Sequence, residues 1–176
     1  MRNHDADSVS LDLTVLLDYT DWERGTWRSW FGQHPHALTI STGLHGDGRF
    51  EALGHVVRHV FSAEQRYVER LVGRPLSDTS TIAVDRVDTL FEFGRQSRAA
   101  LRDFIAVFPP TDWDAPRDFT LMSNQMRATP RKIVVHVLMH EIRHWAQIAT
   151  TARLQGFKVE PHDFLFSPIL GGGVQR

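Results

Sequence analysis

Three histidines fall within the nine-residue stretch HVLMHEIRH, at positions 136, 140 and 144. A neutral imidazole offers a nitrogen lone pair that suits zinc, nickel, iron or cobalt. On a helix that turns about 100° per residue, His140 and His144 project side by side, about 40° apart and one turn along the axis. His136 stands one turn earlier. A second pair, His55 and His59, repeats the same spacing in another part of the chain. Both pairs sit among apolar residues, Val134, Val135, Val137, Leu138 and Ile148 around the first and Val56, Val57, Val60 and Phe61 around the second. On a solvated face such a pair would be idle. Burying four or five imidazoles without partners is costly, and one shared ion removes that cost. Two helices that each turn histidines toward a common interior are the usual construction of a metal site in a helical bundle.

The sub-pattern HEIRH, 140–144, has two readings. As His-Glu-x-x-His it is the zinc motif of metalloproteases, with Glu141 as general base and hence the candidate catalytic residue of a metal-dependent hydrolase. As His-x-x-x-His it is two ligands one turn apart. Four features of the chain weaken the protease reading. Arg143 is charged where that helix carries an uncharged residue. No third histidine and glycine follow His144 soon after. Glu160 is the only downstream glutamate and lies past the helix end. No strand is evident to border a cleft.

The elements that must hold these residues are helices. Apolar residues recur at helical spacing over about 10–32, 50–72, 85–107 and 129–155, and no convincing alternating strand is present beyond a short extended piece at Phe119 to Met122. The last helix opens on Thr129 as N-cap and Pro130 at its first position, and Gly73 and Gly156 stop the second and fourth. Phe108-Pro109-Pro110 ends the third. An all-α four-helix bundle follows, one domain over residues 1–176. The connection between helices two and three holds about a dozen residues and can span roughly 40 Å extended, enough for a crossover that leaves those helices parallel. The apolar tail around Phe164 to Leu170 is expected to cover the bundle or a partner, with a frayed Gly-rich end.

Composition narrows the chemistry. There is no cysteine, which excludes disulfides, a thiol nucleophile and thiolate ligands. A net charge of −1 gives no support to nucleic-acid binding or an anionic membrane surface. No stretch approaches the roughly 18 apolar residues of a membrane span. The N-terminus lacks the basic and apolar regions of a signal peptide. A cytoplasmic location is the expectation.

Three stretches together resemble the DinB-like superfamily, which includes the YfiT-type metal-binding bundles. YTDWERGTW, 19–27, is similar to the pattern of the family's first helix. GHVVRHVFSAEQRYVERLVG, 54–73, matches a histidine, a glutamate five residues on, an aromatic and a closing glycine, which puts His59 and Glu64 in the family positions. HVLMHEIRHWAQIATTARLQG, 136–156, resembles the family's His-Glu-x-x-His, then Arg-Gly-Gln and a final Leu-x-x-Gly. Here Trp145-Ala146 replaces Arg-Gly and Gln147 is retained, and Arg143 stands where the family often has another histidine.

The resemblance implies a divalent ion, zinc, nickel, iron or cobalt, on His59, His140 and His144. His55, His136, Gln147 and Trp145 then become candidates for contacts to the ligands or a substrate pocket, and Glu64, about 140° from His59, reads as structural. It also implies a homodimer acting on a small molecule. The activity implied is a thiol-S-transferase that uses a low-molecular-weight thiol such as bacillithiol or mycothiol in detoxification or stress response. The alternative is a stress-related metal-binding protein without catalysis.

Overall fold

The computed structural model describes residues 12–43, 50–121 and 123–171. Four helices dominate: α1 Leu13–Gln33, α2 Leu53–Leu71, α3 Val87–Val107 and α4 Pro130–Leu154. Asp12 caps α1, its Oδ1 accepting from the Thr14 amide at 3.0 Å. Ser10 and Leu11, the expected start of this helix, lie outside the described residues. Thr129 caps α4, its hydroxyl oxygen accepting from the Lys132 amide at 3.1 Å, and Pro130 occupies the first turn, where its missing N–H costs nothing. Gly73 and Gly156 follow α2 and α4 at φ 71° and 83°. The next amides, of Arg74 and Phe157, close back on the Glu69 and Ala152 carbonyls at 2.8 and 3.1 Å. These are the glycine-dependent helix ends the sequence predicts.

Contacts fix the directions. Phe61 and Glu64 of α2 meet Phe91 and Ser97 of α3 in the same order, so α2 and α3 are parallel. Arg24 and Trp27 of α1 meet Glu141 and Trp145 of α4, so that pair is parallel too. His59 and Tyr67 of α2 meet His140 and His136 of α4 in reverse order, which makes α2 and α4 antiparallel. The connection 72–86 is therefore the expected crossover. It is tied down by Arg58, which donates to the Ser80 and Ile82 carbonyls at 2.8 and 3.1 Å, and by Glu69, which accepts from the Ser77 amide at 2.9 Å. Gly54 is where the crossover presses on α2. A Cβ there would run into the Val84 carbonyl and stand 3.3 Å from the Leu38 carbonyl. Gly54→Ala is expected to destabilise the protein by about 1–3 kcal/mol in urea unfolding. An unchanged midpoint would show that this contact does not constrain the fold.

The core has two apolar halves. One gathers Trp27, Phe31, Phe61 and Trp145, and the other Leu17, Tyr67, Leu101 and Leu138. Between them lies a buried charged layer of Arg24, Glu64, Arg98 and Glu141. The tail packs on α1 as expected, with the Tyr19 hydroxyl donating to the His162 carbonyl at 3.0 Å and Trp30 Nε1 donating to the Lys158 carbonyl at 2.9 Å. Residues 172–176, the Gly-rich end, lie outside the described residues.

One addition to the sequence reading is a hairpin, β1 Arg117–Leu121 and β2 Asn124–Ala128, antiparallel with Phe119 opposite Met126. The expected extended piece supplies the end of β1, while Met122 lies outside the described residues. Of its hydrophobic side chains, Phe119, Leu121 and Ala128 pack against the core. A strand exposed on most sides leaves little alternation to read. No described helix is long and apolar enough to cross a membrane.

Candidate metal centre

The antiparallel register of α2 on α4 sets His59 against the His140–His144 pair. His59 Nε2 lies 3.2 Å from His140 Nε2, and His144 Nε2 lies 3.1 Å from the same atom. The three residues each turn one ligand atom into a group spanning no more than 4.8 Å. Two imidazoles bound at ~2.05 Å to one tetrahedral ion stand ~3.3 Å apart. The rings are thus nearly at ligand spacing. Phe50 closes one side, with ring centroids 4.8 Å from His59 and 6.1 Å from His144.

The protonation states suit donation to a cation. His144 Nδ1–H donates to Gln147 Oε1 at 2.9 Å, which leaves the Nε2 lone pair facing the cluster. Gln147, a candidate for contact with the ligands, therefore orients the His144 ring. Burial first, and then the neighbouring His144, His59, Arg143 and His136, push the His140 pKa down to about 3. Its imidazole is neutral, as a ligand must be.

His136 and His55 are not brought into the cluster. His136 Nε2 sits 3.3 Å from the Tyr67 hydroxyl, and its ring centroid is 5.8 Å from that of His140. His55 lies one turn from His59 in the other direction and lines a cavity beside it. With α2 and α4 antiparallel, the two histidines stand on opposite sides of the cluster.

Two candidates change role. Glu141, proposed above as a general base, faces α1 and α3 and is 1% exposed. Its Oε1 accepts from Arg24 Nε at 2.6 Å and Trp145 Nε1 at 3.0 Å. Its Oε2 accepts from Arg24 Nη2 and Arg98 Nη2, both at 2.7 Å. Four bonds use the roughly four lone-pair directions of a carboxylate. Burial alone would raise its pKa, but the Arg24 and Arg98 guanidiniums outweigh burial and hold it below the ordinary carboxylate value. A carboxylate so engaged has nothing left with which to take a proton from water at the cluster. Trp145, a candidate pocket wall, is fully buried and stacked between Trp27 and Phe91, at centroid distances of 5.6 and 6.4 Å. Both residues follow a histidine of the cluster by one position, and about 100° of rotation turns them toward α1 and α3.

Glu64, read as structural, belongs to the same charged layer, accepting from Ser97 Oγ at 2.7 Å and Arg98 Nε at 3.0 Å. The sequence reading missed its partners Arg24 and Arg98. Their signal was limited to spacing, Arg24 falling one or two turns from Leu17, Trp27 and Phe31 and Arg98 from Phe91, Leu101 and Ile105. It also missed Phe50, Ser62, Arg66 and Tyr67, which line the clefts next to His59.

Compared against known protein families, residues 17–148 match the DinB superfamily, a span that takes in all three clustered histidines. The chain belongs to the DinB superfamily. The match covers the four helices except the first turn of α1 and the last turns of α4. It agrees with the resemblance seen in the helix motifs, and the helical bundle and the compact three-histidine cluster of this DinB chain are compatible with metal binding. No curated protein matches the chain.

Proposed function

We propose that this DinB-superfamily protein binds one divalent transition-metal ion through Nε2 of His59, His140 and His144. The reading is carried by His59 Nε2 and His144 Nε2 standing 3.2 and 3.1 Å from His140 Nε2, near the spacing of ligands on one ion, in a group no more than 4.8 Å across. Zinc, nickel, iron and cobalt all suit three imidazoles. Among the described residues no fourth acidic or histidine side chain joins the group. This favours a site with positions for a small molecule over a closed structural one.

On that basis we propose a metal-dependent transferase acting with a low-molecular-weight thiol. An ion held there supplies Lewis acidity that favours the thiolate form of such a thiol near neutral pH. The chain has no cysteine, so the sulfur comes with the cosubstrate. The residues' own parts are positional. Gln147 fixes the His144 tautomer, Phe50 shields two of the rings, and Tyr67 holds His136 away from the cluster. A hydrolase that uses Glu141 as base finds no support in its surroundings.

Metal analysis of the purified protein is expected to find close to one equivalent of a transition metal, and an EDTA-stripped sample to regain it. His59→Ala and His140→Ala should each lose it. Retention in His59→Ala would refute the assignment of the ligand on α2. Stoichiometric metal without thiol transfer to a model electrophile, tried with the common cellular thiols, would leave a metal-binding protein and remove the transferase.

A further inference from the structure

The stripe of α2 that carries His59 also carries His55, Ser62 and Arg66, at the spacing of one helix face. Two cavities flank it, of about 200 and 350 Å³, and His59, Ser62 and Arg66 line both. The first reaches Arg58 and Thr79 of the crossover side. The second reaches His140 and Arg143 of α4. Four arginines, Arg58, Arg66, Arg70 and Arg143, therefore surround the His59 edge of the cluster, and no described carboxylate lines either cavity. In a chain of net charge −1 this is a local excess of positive charge.

The four differ in what they already do. Arg58 donates to the Ser80 and Ile82 carbonyls. Arg70 donates to the Thr120 and Arg66 carbonyls and lies over the Tyr67 ring. Arg66 Nε is buried without a hydrogen-bond partner, and so is the hydroxyl of Ser62, a residue only 6% exposed. Buried donors without partners are uncommon and costly, and they are found where a ligand completes them. Arg143 is exposed and stands one turn from His140. We propose that Ser62 and Arg66 of α2, with Arg143 across the cleft on α4, form a subsite for an anionic group, a carboxylate or phosphate, of the small molecule that reaches the histidine cluster. Guanidinium and hydroxyl donors are the pairing such oxyanions select, and no described carboxylate lines the cleft to compete for them, although Glu69 and Asp78 lie near enough to Arg66 to feel its charge. The inference rests on the reading of that cluster as a metal site open to a thiol. It adds that the thiol or its electrophile is an acid.

The test compares two thiols on cobalt(II)-loaded protein through the thiolate-to-cobalt absorption band. Mercaptosuccinate is expected to bind at least about tenfold more tightly than neutral 2-mercaptoethanol, the effect of one charge-assisted hydrogen bond. Arg66→Gln and Arg143→Gln should each cut that preference to within about twofold of none. Equal affinities in the unaltered protein, or a preference that survives in both variants, overturns the subsite. A second arm needs no metal. Succinate added to the metal-free protein should shift the NMR signal of Arg66 Nε–H saturably, and succinamide should not. If neither thiol yields the cobalt band, the metal–thiol reading fails, and the succinate titration still decides the subsite. No succinate-dependent shift overturns it.

Discussion

Glu141→Gln is expected to cost roughly 3–5 kcal/mol of folding stability while leaving the metal content of the protein unchanged. The glutamine amide would retain an oxygen for Arg24 or Trp145, but its NH₂ would face guanidinium donors where Oε2 now accepts from Arg24 and Arg98 at 2.7 Å. Two buried guanidiniums would then share Glu64 and the half-exposed Asp21, which Arg98 Nη1 reaches at 2.6 Å. A buried cation short of its counter-charge is among the most destabilising changes a core can take. For a chain of this length the melting temperature should fall by on the order of 10 °C. His140 and His144 project to the other side of α4, so inductively coupled plasma analysis should report the same metal equivalent. The opposite pattern, stability within about 0.5 kcal/mol of the unaltered protein and loss of a hydrolytic activity, would restore Glu141 as a base and refute the structural role given it here.

Trp145→Ala carries the second large effect, about 3–5 kcal/mol. The indole is fully buried between Trp27 and Phe91, with Phe61 edge-on at 6.0 Å, and its Nε1 donates to Glu141. Truncation opens a cavity that a stack of rigid aromatic rings closes poorly, and it strips one donor from a buried carboxylate. Trp145→Phe keeps the stacking and loses the hydrogen bond, so it should cost clearly less. Urea unfolding of the two variants side by side measures the difference. If Trp145→Ala were as stable as the starting protein but altered affinity for thiols, the residue would be a pocket wall after all and the placement in the core would be wrong.

Local rules made much of the bundle readable. The Thr129 cap with Pro130, and the glycine ends at Gly73 and Gly156, depend on residues within one turn of one another, and the structure places all of them as the sequence predicts. The pairing of His140 with His144 is local for the same reason. The hairpin 117–128 was only half visible, because few of its side chains are buried and burial is what imprints alternation on a strand.

The sequence by itself determined that helices form where they do, that two histidine pairs occur at one-turn spacing, and that any thiol must come from outside the chain. The motif order also placed the chain in its family. Spacing left five histidines in play, and only the motif resemblance singled out His59. The tertiary structure decided what spacing could not. The antiparallel register of α2 on α4 sets His59 Nε2, not His55, beside His140, and sends His136 to Tyr67. The packing of α1 and α3 behind α4 gives Glu141 and Trp145 to the buried layer. A helix repeats its faces every few residues, so each side chain's azimuth is fixed by sequence. Which neighbour fills that azimuth depends on contacts between residues far apart in the chain, as in the 117 positions that separate Arg24 from Glu141.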